Sequence, residues 1–339
     1  MSDDFPDVSP TQVAARLYEE MSQVVVGNDE VIERLLLSLL TGGHILLEGV
    51  PGIAKTVTAE TFARTTGLSF SRIQMTPDVL PADVTGTTIY RDATGEFELQ
   101  RGPIFANIVV ADEINRATPK TQSALLEAMG EQQVTIEKET LQLPEPFLVI
   151  ATQNPLEMEG VYELPEAQRD RFQFKLRVGY PDRDNERTIL DRFDAAPQLG
   201  PSSTEQAVDH DELAAVRETV RAVFVAPPVK EYLLDIVAAT RESPQTDIGA
   251  SPRAALDLLH AAKALAAVDG RHYVVPDDIK QLAVDVLAHR LVLSTDAELS
   301  DLTNVDAVET VLETVEPPSG NIIESIPDEY HEQEADTPS

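Results

Sequence analysis

Short apolar runs alternate with amphipathic segments along the first half of this 339-residue chain. The apolar-rich runs span residues 44–48, 68–75, 107–112, 147–152 and 172–178. Runs of this length with little polar alternation are typical of strands buried on both faces of a parallel sheet. Between most of them, apolar residues recur every three or four positions, which predicts helices. The pattern therefore predicts an α/β fold with a parallel five-stranded sheet covered by helices.

The pattern changes near Pro181, and no strong buried strand follows it. Helical spacing is found instead in residues 185–194, 211–222, 229–241, 252–268 and 277–290. This predicts a small all-helical second domain. Beyond about Ser294 the chain is acidic and has few apolar residues, so we expect it to bury too little surface to become ordered, at least after Pro317. The predicted domains are therefore 1–182 and 183–296, followed by a disordered acidic tail at 297–339.

A glycine-containing turn joins the first predicted strand to a helix. It consists of Gly49, Val50, Pro51, Gly52, Ile53, Ala54, Lys55 and Thr56. Strand, turn, Lys-Thr and helix is the layout of a phosphate-binding loop, in which backbone N–H groups point at the phosphates. Lys55 would bind the β- and γ-phosphates of ATP, and Thr56 would offer its hydroxyl to Mg²⁺. Ala54 stands where the usual motif has glycine, a replacement that we expect to be tolerated because alanine is small.

Two acidic residues end the predicted strand at 107–112. A strand of the same sheet brings its carboxyl end near the phosphate-binding loop, so Asp112 is expected to bind Mg²⁺ directly or through water. Glu113 points elsewhere and can polarise a water molecule for attack on the γ-phosphate. In an acidic chain such a pair could also be a plain strand end, but its position after a phosphate-binding loop favours the catalytic interpretation.

Three further polar residues are candidates for the same chemistry. Asn154 follows the next buried strand, where its amide could orient the attacking water, although Asn-Pro is also a common turn signal. Arg171 precedes the last strand at the domain edge, where it could reach the γ-phosphate of a neighbouring subunit or form a salt bridge with Asp170 or Glu166. Arg253 lies in the first turn of a helix, an unfavourable place for a cation that makes a functional role more plausible.

The charge balance excludes several classes of function. The chain has 59 acidic and 26 basic side chains, a formal net charge of -33, which argues against nucleic-acid binding and against adsorption to anionic lipid. The size of the imbalance favours a protein adapted to high salt over an ordinary acidic protein. There are no cysteines, and neither an apolar run of membrane-spanning length nor a signal peptide is evident. We therefore expect a cytoplasmic protein without direct membrane insertion.

Taken together, these motifs resemble the MoxR group of the AAA+ ATPases, from about Val24 to Leu293. The most specific stretches are 102–117 with its continuation 120–129, the phosphate-binding loop, and the segments 151–155, 164–172 and 249–254. Alanine before the loop lysine is common in that group. The resemblance implies an AAA+ P-loop core with a helical lid, and a halophilic archaeal source fits the charge.

The resemblance also implies roles for individual residues. It makes 49–56 the Walker A motif and 108–113 the Walker B motif, and it places Val26 and Gly27 near adenine. Asn154 corresponds to sensor 1, Arg253 to sensor 2 and Arg171 to the arginine finger, for which Arg169 is a weaker candidate. Residues 88–100 and 133–143 correspond to inserts that face the pore of a ring, most commonly a hexamer.

The family resemblance implies ATP-driven, chaperone-like remodelling of a protein partner that contains a von Willebrand factor A domain. Magnesium-chelatase-like and gas-vesicle-assembly motor subunits share nearly all of these motifs and stay open as an alternative. A nucleic-acid motor, such as a clamp loader or a helicase, is disfavoured by the acidic charge.

Overall fold

The computed structural model describes residues 8–50, 52, 54–92, 95–155, 160–318 and 327. These residues form two compact units. The first, here called the sheet unit, consists of Arg16–Phe172 and Leu176–His210, and the remaining described residues form the helical unit. The two units do not divide after residue 182, so the predicted domain limits stay a prediction.

Within the described residues, five parallel strands form the main sheet in the order β2-β5-β8-β1-β9. Their bounds are β1 Ile45–Glu48, β2 Phe70–Gln74, β5 Ile108–Asp112, β8 Leu148–Gln153 and β9 Phe174–Arg177. Two antiparallel hairpins are formed by β3 Gly86–Arg91 with β4 Glu96–Arg101, and by β6 Gln133–Ile136 with β7 Glu139–Gln142. The parallel five-stranded sheet predicted from the apolar runs is thereby confirmed.

The helices of the first 210 residues precede, connect and follow these strands. They are α1 Pro10–Ser22, α2 Asp29–Thr41, α3 Lys55–Thr65, α4 Pro81–Thr85, α5 Pro119–Glu131, α6 Glu166–Arg169 and α7 Arg183–Ala195, with 3-10 turns at Ile114–Arg116 and Pro201–Ser203. Every residue of β5 is buried, as are the first five residues of β8, because helices cover both faces of the sheet. Parallel pairing in register brings the carboxyl ends of β1, β5 and β8 to one edge.

Glycines fix the base of the hairpin formed by β3 and β4. A Cβ atom on Gly86 would lie 2.3 Å from the carbonyl oxygen of Gln100, and one on Gly102 would lie 2.3 Å from that of Val84. Both distances are far below van der Waals contact, so only glycine allows this close backbone approach. The hairpin therefore emerges from a rigid base, directly after α4.

The helical unit contains α8 to α13. Their bounds are α8 His210–Ala222, α9 Pro227–Glu242, α10 Pro252–Val268, α11 Pro276–Leu287, α12 Thr295–Leu299 and α13 Asn304–Thr314, with a 3-10 turn at Ala288–Arg290 and a small antiparallel pair, β10 Thr246–Ile248 and β11 Val292–Leu293. Residue His210 belongs to the sheet unit by its packing. The predicted helices of this region are observed, and among its described residues the all-helical description leaves out the β10–β11 pair and an isolated bridge between Phe224 and Tyr273.

The expectation of disorder from residue 297 onward is wrong for α12 and α13. Ala307, Val308 and Val311 form an apolar stripe at helical spacing and are all buried. Thr303 caps the helix, since its hydroxyl accepts a hydrogen bond from the backbone N–H of Asp306 at 3.2 Å. Residues 319–326 and 328–339 of the predicted tail lie outside the described residues.

Candidate functional site

The carboxyl edge of the sheet opens onto a cavity of about 420 Å³, a volume typical of small-molecule sites. Among the described residues, its lining includes these residues singled out from the sequence: Gly52, Ala54, Lys55, Thr56, Asp112, Glu113 and Asn154. They come from the turn after β1 and from the ends of β5 and β8. The sheet topology therefore brings together motifs that are up to about 100 residues apart in sequence.

The turn after β1 leads into α3 through an unusual backbone conformation. Ala54 has φ 62°, ψ 14°, in the left-handed region that normally favours glycine. This explains why the usual motif has glycine at this position. Lys55 follows as the first helical residue, and its Nζ donates a hydrogen bond to the carbonyl oxygen of Gly49. Burial lowers the pKa of Lys55, while the charges of Asp112, Glu113 and Glu48 partly offset that shift.

Asp112 ends β5 and is 6% exposed. Its Oδ1 accepts a hydrogen bond from the hydroxyl of Thr152 at 2.9 Å. Its Oδ2 accepts hydrogen bonds from the hydroxyl of Thr56 at 3.2 Å and from Nε of Arg72 at 2.7 Å, and it forms an ion pair with Nη2 of Arg72 at 2.7 Å. Both carboxylate oxygens are thus held in place, and Oδ2 is the one directed towards the phosphate-binding loop.

Glu113 is turned out of the strand direction by its backbone, which has φ 57°, ψ 51°. A non-glycine residue in the left-handed region is uncommon, and such residues cluster at functional sites. Its backbone N–H donates to the hydroxyl of Thr152 at 2.9 Å. Its Oε2 accepts from Nε2 of Gln74 and from Nη1 of Arg116, both at 2.9 Å. The Glu113 side chain is therefore anchored through one oxygen.

Some predicted site residues lie elsewhere in the sheet unit. Nη1 of Arg171 donates to the carbonyl oxygen of Leu126 on α5, and Arg171 is not among the described residues that line the cavity. The Nε of Arg169 is buried and has no hydrogen-bond partner among the residues that the structure describes. Gly27 has φ 74° and faces the side chain of Asn185, at the start of α7. Neither it nor Val26, Gly49 or Val50 is among the described lining residues, while Pro51 and Ile53 lie outside the described residues.

Arg253 belongs to the helical unit. It occupies the first turn of α10, where Ser251 caps the helix by accepting a hydrogen bond from the N–H of Ala254 at 3.1 Å. Its Nε lies 3.9 Å from Oδ2 of Asp257, one turn along the same helix. Asp257 also accepts a 2.6 Å hydrogen bond from Arg290, so it is shared between two arginines. The mismatch of Arg253 with the helix dipole is thereby partly compensated within the unit.

Sequence reasoning missed four residues of this network: Arg72, Gln74, Arg116 and Thr152. Arg72 and Gln74 are two residues apart on β2, so both side chains lie on the same face of the sheet. The parallel register puts Gln74 directly opposite Asp112. Two long polar side chains at alternating positions of a strand next to β5 were the available signal, but one sequence does not give the strand order.

The donor set fits ATP and Mg²⁺. The N-terminus of an 11-residue helix and Lys55 together suit a polyphosphate. Mg²⁺ takes oxygen ligands at about 2.1 Å in octahedral geometry, so two neighbouring ligand oxygens lie about 3.0 Å apart. The 3.2 Å between Oγ1 of Thr56 and Oδ2 of Asp112 is close to that spacing. One hydroxyl and one carboxylate, completed by phosphate oxygens and water, is a usual Mg²⁺ site.

Comparison with known proteins agrees with this geometry. Residues 44–174 match the family model of the ATPase family associated with various cellular activities (AAA), and residues 238–311 match the AAA lid domain. Chaperone MoxR1 of Mycobacterium tuberculosis is 47% identical, with 90% of this chain and 82% of that protein covered. Protein MoxR of Methylorubrum extorquens is 30% identical, with 90% and 95% covered. A crystal structure from Cytophaga hutchinsonii, of a protein considered an ATPase, superposes with a TM-score of 0.85 at 42% identity and covers 91% of this chain and 96% of that one.

Fold, site and family models define this protein as an AAA+ ATPase, an enzyme that hydrolyses ATP. Within that class, the chain belongs to the MoxR family. Magnesium-chelatase subunit ChlI-1 of Arabidopsis thaliana is 29% identical over only 54% of this chain, so the chelatase alternative is the more distant one. In the part of the chain that the structure describes, no helix has the length and apolar character needed to cross a membrane.

Proposed function

We propose that this protein uses Mg²⁺-dependent ATP hydrolysis to remodel a protein partner, as a cytoplasmic chaperone-like ATPase. The single observation that carries the proposal is the meeting of Lys55, Thr56, Asp112 and Glu113 around one cavity. A cation for the phosphates, a hydroxyl-carboxylate pair for the metal and a second carboxylate for the water are the parts that phosphoryl transfer to water needs.

Each residue has a distinct task in this mechanism. Lys55 neutralises the β- and γ-phosphates, while Thr56 and Asp112 hold Mg²⁺, which balances the charge that develops on the phosphate oxygens. Glu113 accepts a proton from the attacking water, and Asn154, which is 6% exposed, helps to orient that water. The residues that line the adenine side are proposed to include Val26 and Gly27, with the Gly49–Gly52 turn along the phosphates.

Hydrogen bonding supports the assignment of Glu113 as the base. Gln74 and Arg116 both bind Oε2, whereas no described residue donates a hydrogen bond to Oε1. Oε1 is therefore the oxygen that can accept a hydrogen bond from water. Because Oε2 is tied to two neighbouring elements, the direction of Oε1 is restricted, and restriction of a base towards its proton donor is a large part of catalysis.

Substitution of Glu113 by Gln tests this proposal. We expect ATP binding to persist and turnover to fall on the order of 10²–10⁴-fold, because only proton acceptance by the side chain is lost. The measurements are equilibrium nucleotide binding and steady-state phosphate release. Glu60→Gln makes the same chemical change on the outer surface of α3, where Glu60 faces Arg64, and should leave turnover unchanged. Turnover of Glu113→Gln at the parent rate would refute the assignment.

The active form is proposed to be a ring, most simply a hexamer, with Arg171 of one subunit reaching the ATP of the next. Membership of the AAA+ class, whose members generally form oligomers, supports this. Arg171 must then exchange its contact with the Leu126 carbonyl oxygen for phosphate. Mixing Arg171→Ala with Lys55→Ala subunits should restore part of the activity, since each completes a site that the other cannot. A co-assembled mixture without recovery would rule out Arg171 as the arginine that acts between subunits, and the same mixing experiment with Arg169→Ala would then test the weaker candidate.

The protein partner is proposed to contain a von Willebrand factor A domain and to contact the hairpin of β3 and β4. Ile89, Tyr90 and Phe97 are all exposed there, Phe97 by 73%, and the rings of Tyr90 and Phe97 lie 5.2 Å apart. Exposed apolar side chains on a rigid hairpin suit contact with another protein. Deleting Asp92–Gly95 in the Glu113→Gln form should abolish capture of a von Willebrand A protein while nucleotide binding persists. Undiminished capture would exclude the hairpin.

The net charge of -33 leads us to propose adaptation to high salt, as expected of a halophilic source. At about 1 M salt the Debye length is only about 3 Å, so repulsion among the exposed carboxylates is screened. The thermal unfolding midpoint should rise steeply between low and molar KCl. A midpoint that is constant across the salt series would indicate an ordinary acidic protein.

A further inference from the structure

Arg72 is bound to the same carboxylate oxygen that the proposed metal site requires. Both Nε and Nη2 of its guanidinium lie 2.7 Å from Oδ2 of Asp112. The hydroxyl of Thr56 donates to that oxygen as well. A carboxylate oxygen has about two lone-pair sites, so the hydrogen bonds from Nε of Arg72 and from the hydroxyl of Thr56 already fill Oδ2. Oδ1 is bound by the hydroxyl of Thr152 and Oδ2 by that of Thr56 at the end of the phosphate-binding loop, so Oδ2 is the oxygen next to the proposed metal site.

We propose that Arg72 and Mg²⁺ bind Oδ2 of Asp112 alternately, so that Arg72 is the built-in counter-cation of the metal ligand. This inference rests on the proposed function, because it takes Asp112 as the Mg²⁺ ligand. Asp112 is buried, and a buried carboxylate without a cation is strongly destabilising. Arg72 supplies that cation until nucleotide brings the metal.

The exposure of Arg72 makes the exchange feasible. Its side chain is 51% exposed, whereas that of Asp112 is 8% exposed. The arginine can therefore swing away into solvent or towards the nucleotide without unpacking the core, while the carboxylate stays fixed. Its second contact, from Nη2 to Oε1 of Gln74 at 3.2 Å, is a longer hydrogen bond with an exposed partner. Two cations at one oxygen repel each other, so metal binding favours departure of the guanidinium.

The proposal predicts a specific effect on the Mg²⁺ dependence of nucleotide binding. Free nucleotide leaves the Arg72–Asp112 bond in place, whereas nucleotide with Mg²⁺ must break it. The measured quantity is the dissociation constant of a fluorescent non-hydrolysable ATP analogue in EDTA divided by that in Mg²⁺, at constant ionic strength. For Arg72→Gln this ratio should rise by about three- to tenfold over the parent, the effect of a partly exposed charged hydrogen bond. Loss of a positive charge near the phosphates weakens both constants and cancels in the ratio.

Two further variants keep the experiment decisive. Arg72→Lys keeps the positive charge but loses the planar guanidinium, and it should raise the ratio of dissociation constants by less than Arg72→Gln does. Arg64→Gln removes one charge from the outer face of α3 and should leave the ratio unchanged. Each dissociation constant is fitted together with the number of binding sites per chain. A fraction of unfolded protein then lowers the number of sites and leaves the dissociation constant unchanged. A ratio that is unchanged or lower for Arg72→Gln overturns the exchange. A parent ratio of one overturns the Mg²⁺ site at Asp112 itself, and the exchange with it.

Discussion

Asp112 in the sheet unit and Asp278 in the helical unit are both buried aspartates that are bound by an arginine, and they are 6% and 3% exposed. Arg271 binds Asp278 through two separate bonds, Nη1 to Oδ2 at 2.8 Å and Nη2 to Oδ1 at 2.6 Å. Arg72 instead has Nε and Nη2 both at 2.7 Å from a single oxygen of Asp112, Oδ2. The same two kinds of side chain thus form two different arrangements.

The difference lies in what surrounds each pair. Oδ2 of Asp278 also accepts the N–H of Val275 at 2.8 Å, so this carboxylate caps α11 while it binds Arg271. Arg271 is only 22% exposed, and its hydrogen bonds to Asp278 raise its pKa. Arg72 is half exposed, and Asp112 faces the cavity. We call Arg271–Asp278 the closed pair and Arg72–Asp112 the open pair. The closed pair stabilises the fold, whereas the open pair lies next to a cavity and can exchange its cation for a ligand.

Substituting each aspartate by asparagine tests this comparison most strongly through the rate of ATP hydrolysis. We expect Asp112→Asn to lower kcat/KM on the order of 10²-fold or more, because a neutral amide binds Mg²⁺ poorly. Asp278→Asn, measured per folded molecule, should retain the parent kcat/KM. Equal losses in the two variants would mean that Asp112 has no special part in the reaction.

The free energy of unfolding should show the opposite order. Asp278→Asn removes the charge that compensates Arg271 and weakens the cap of α11, so we expect a loss of about 2–4 kcal/mol. Asp112→Asn should cost less than about 1 kcal/mol, since the exposed Arg72 is left hydrated. Denaturant unfolding followed by circular dichroism measures both values. A greater loss for Asp112→Asn than for Asp278→Asn would contradict the assignment of the closed pair to stability.

How much of this the sequence could predict depends on where each residue lies. Lys55 could be found from the phosphate-binding motif after β1, and Asp112 and Glu113 because they stand where an apolar strand ends, since the ends of parallel strands meet at one edge. Arg72 lies inside β2 and Gln74 ends it, and their meeting with Asp112 and Glu113 depends on β2 being next to β5, which a single sequence does not give. Helix α13 was missed because its acidic residues obscured a stripe of only three buried side chains.

Lys55 lines the same cavity as Asp112, and the pH dependence of stability tests its charge with a smaller expected effect than the substitutions above. Burial lowers the pKa of Lys55 below its ordinary value of 10.5. Between the folded-state pKa and 10.5 the unfolded chain binds more protons than the folded chain, so stability rises with pH in that window. The free-energy cost of burying the charged lysine is therefore fully present at neutral pH. Lys55→Met should therefore raise the free energy of unfolding at neutral pH, by less than Asp278→Asn lowers it, and abolish tight nucleotide binding.

The control for that measurement is the pH profile. The gain from Lys55→Met should shrink as the pH rises towards 10.5, because both states of the parent lose the proton there. Destabilisation by Lys55→Met at neutral pH would mean that the attraction of Asp112, Glu113 and Glu48 outweighs burial. The charges around Lys55 would then stabilise the fold, as the closed pair of Arg271 and Asp278 is expected to do.

The smallest effect is expected at Ala54, whose left-handed backbone sets the start of α3. An alanine in this region costs about 1–2 kcal/mol, and glycine relieves that cost but adds about 0.5–1 kcal/mol of chain entropy to folding. Ala54→Gly should therefore change the free energy of unfolding by about 1 kcal/mol at most, towards stability, and nucleotide affinity by less than about threefold. Ala59→Gly, the same substitution within α3, should instead destabilise by about 1 kcal/mol or more. If both variants lose stability equally, the backbone of Ala54 is not a source of strain at the start of α3.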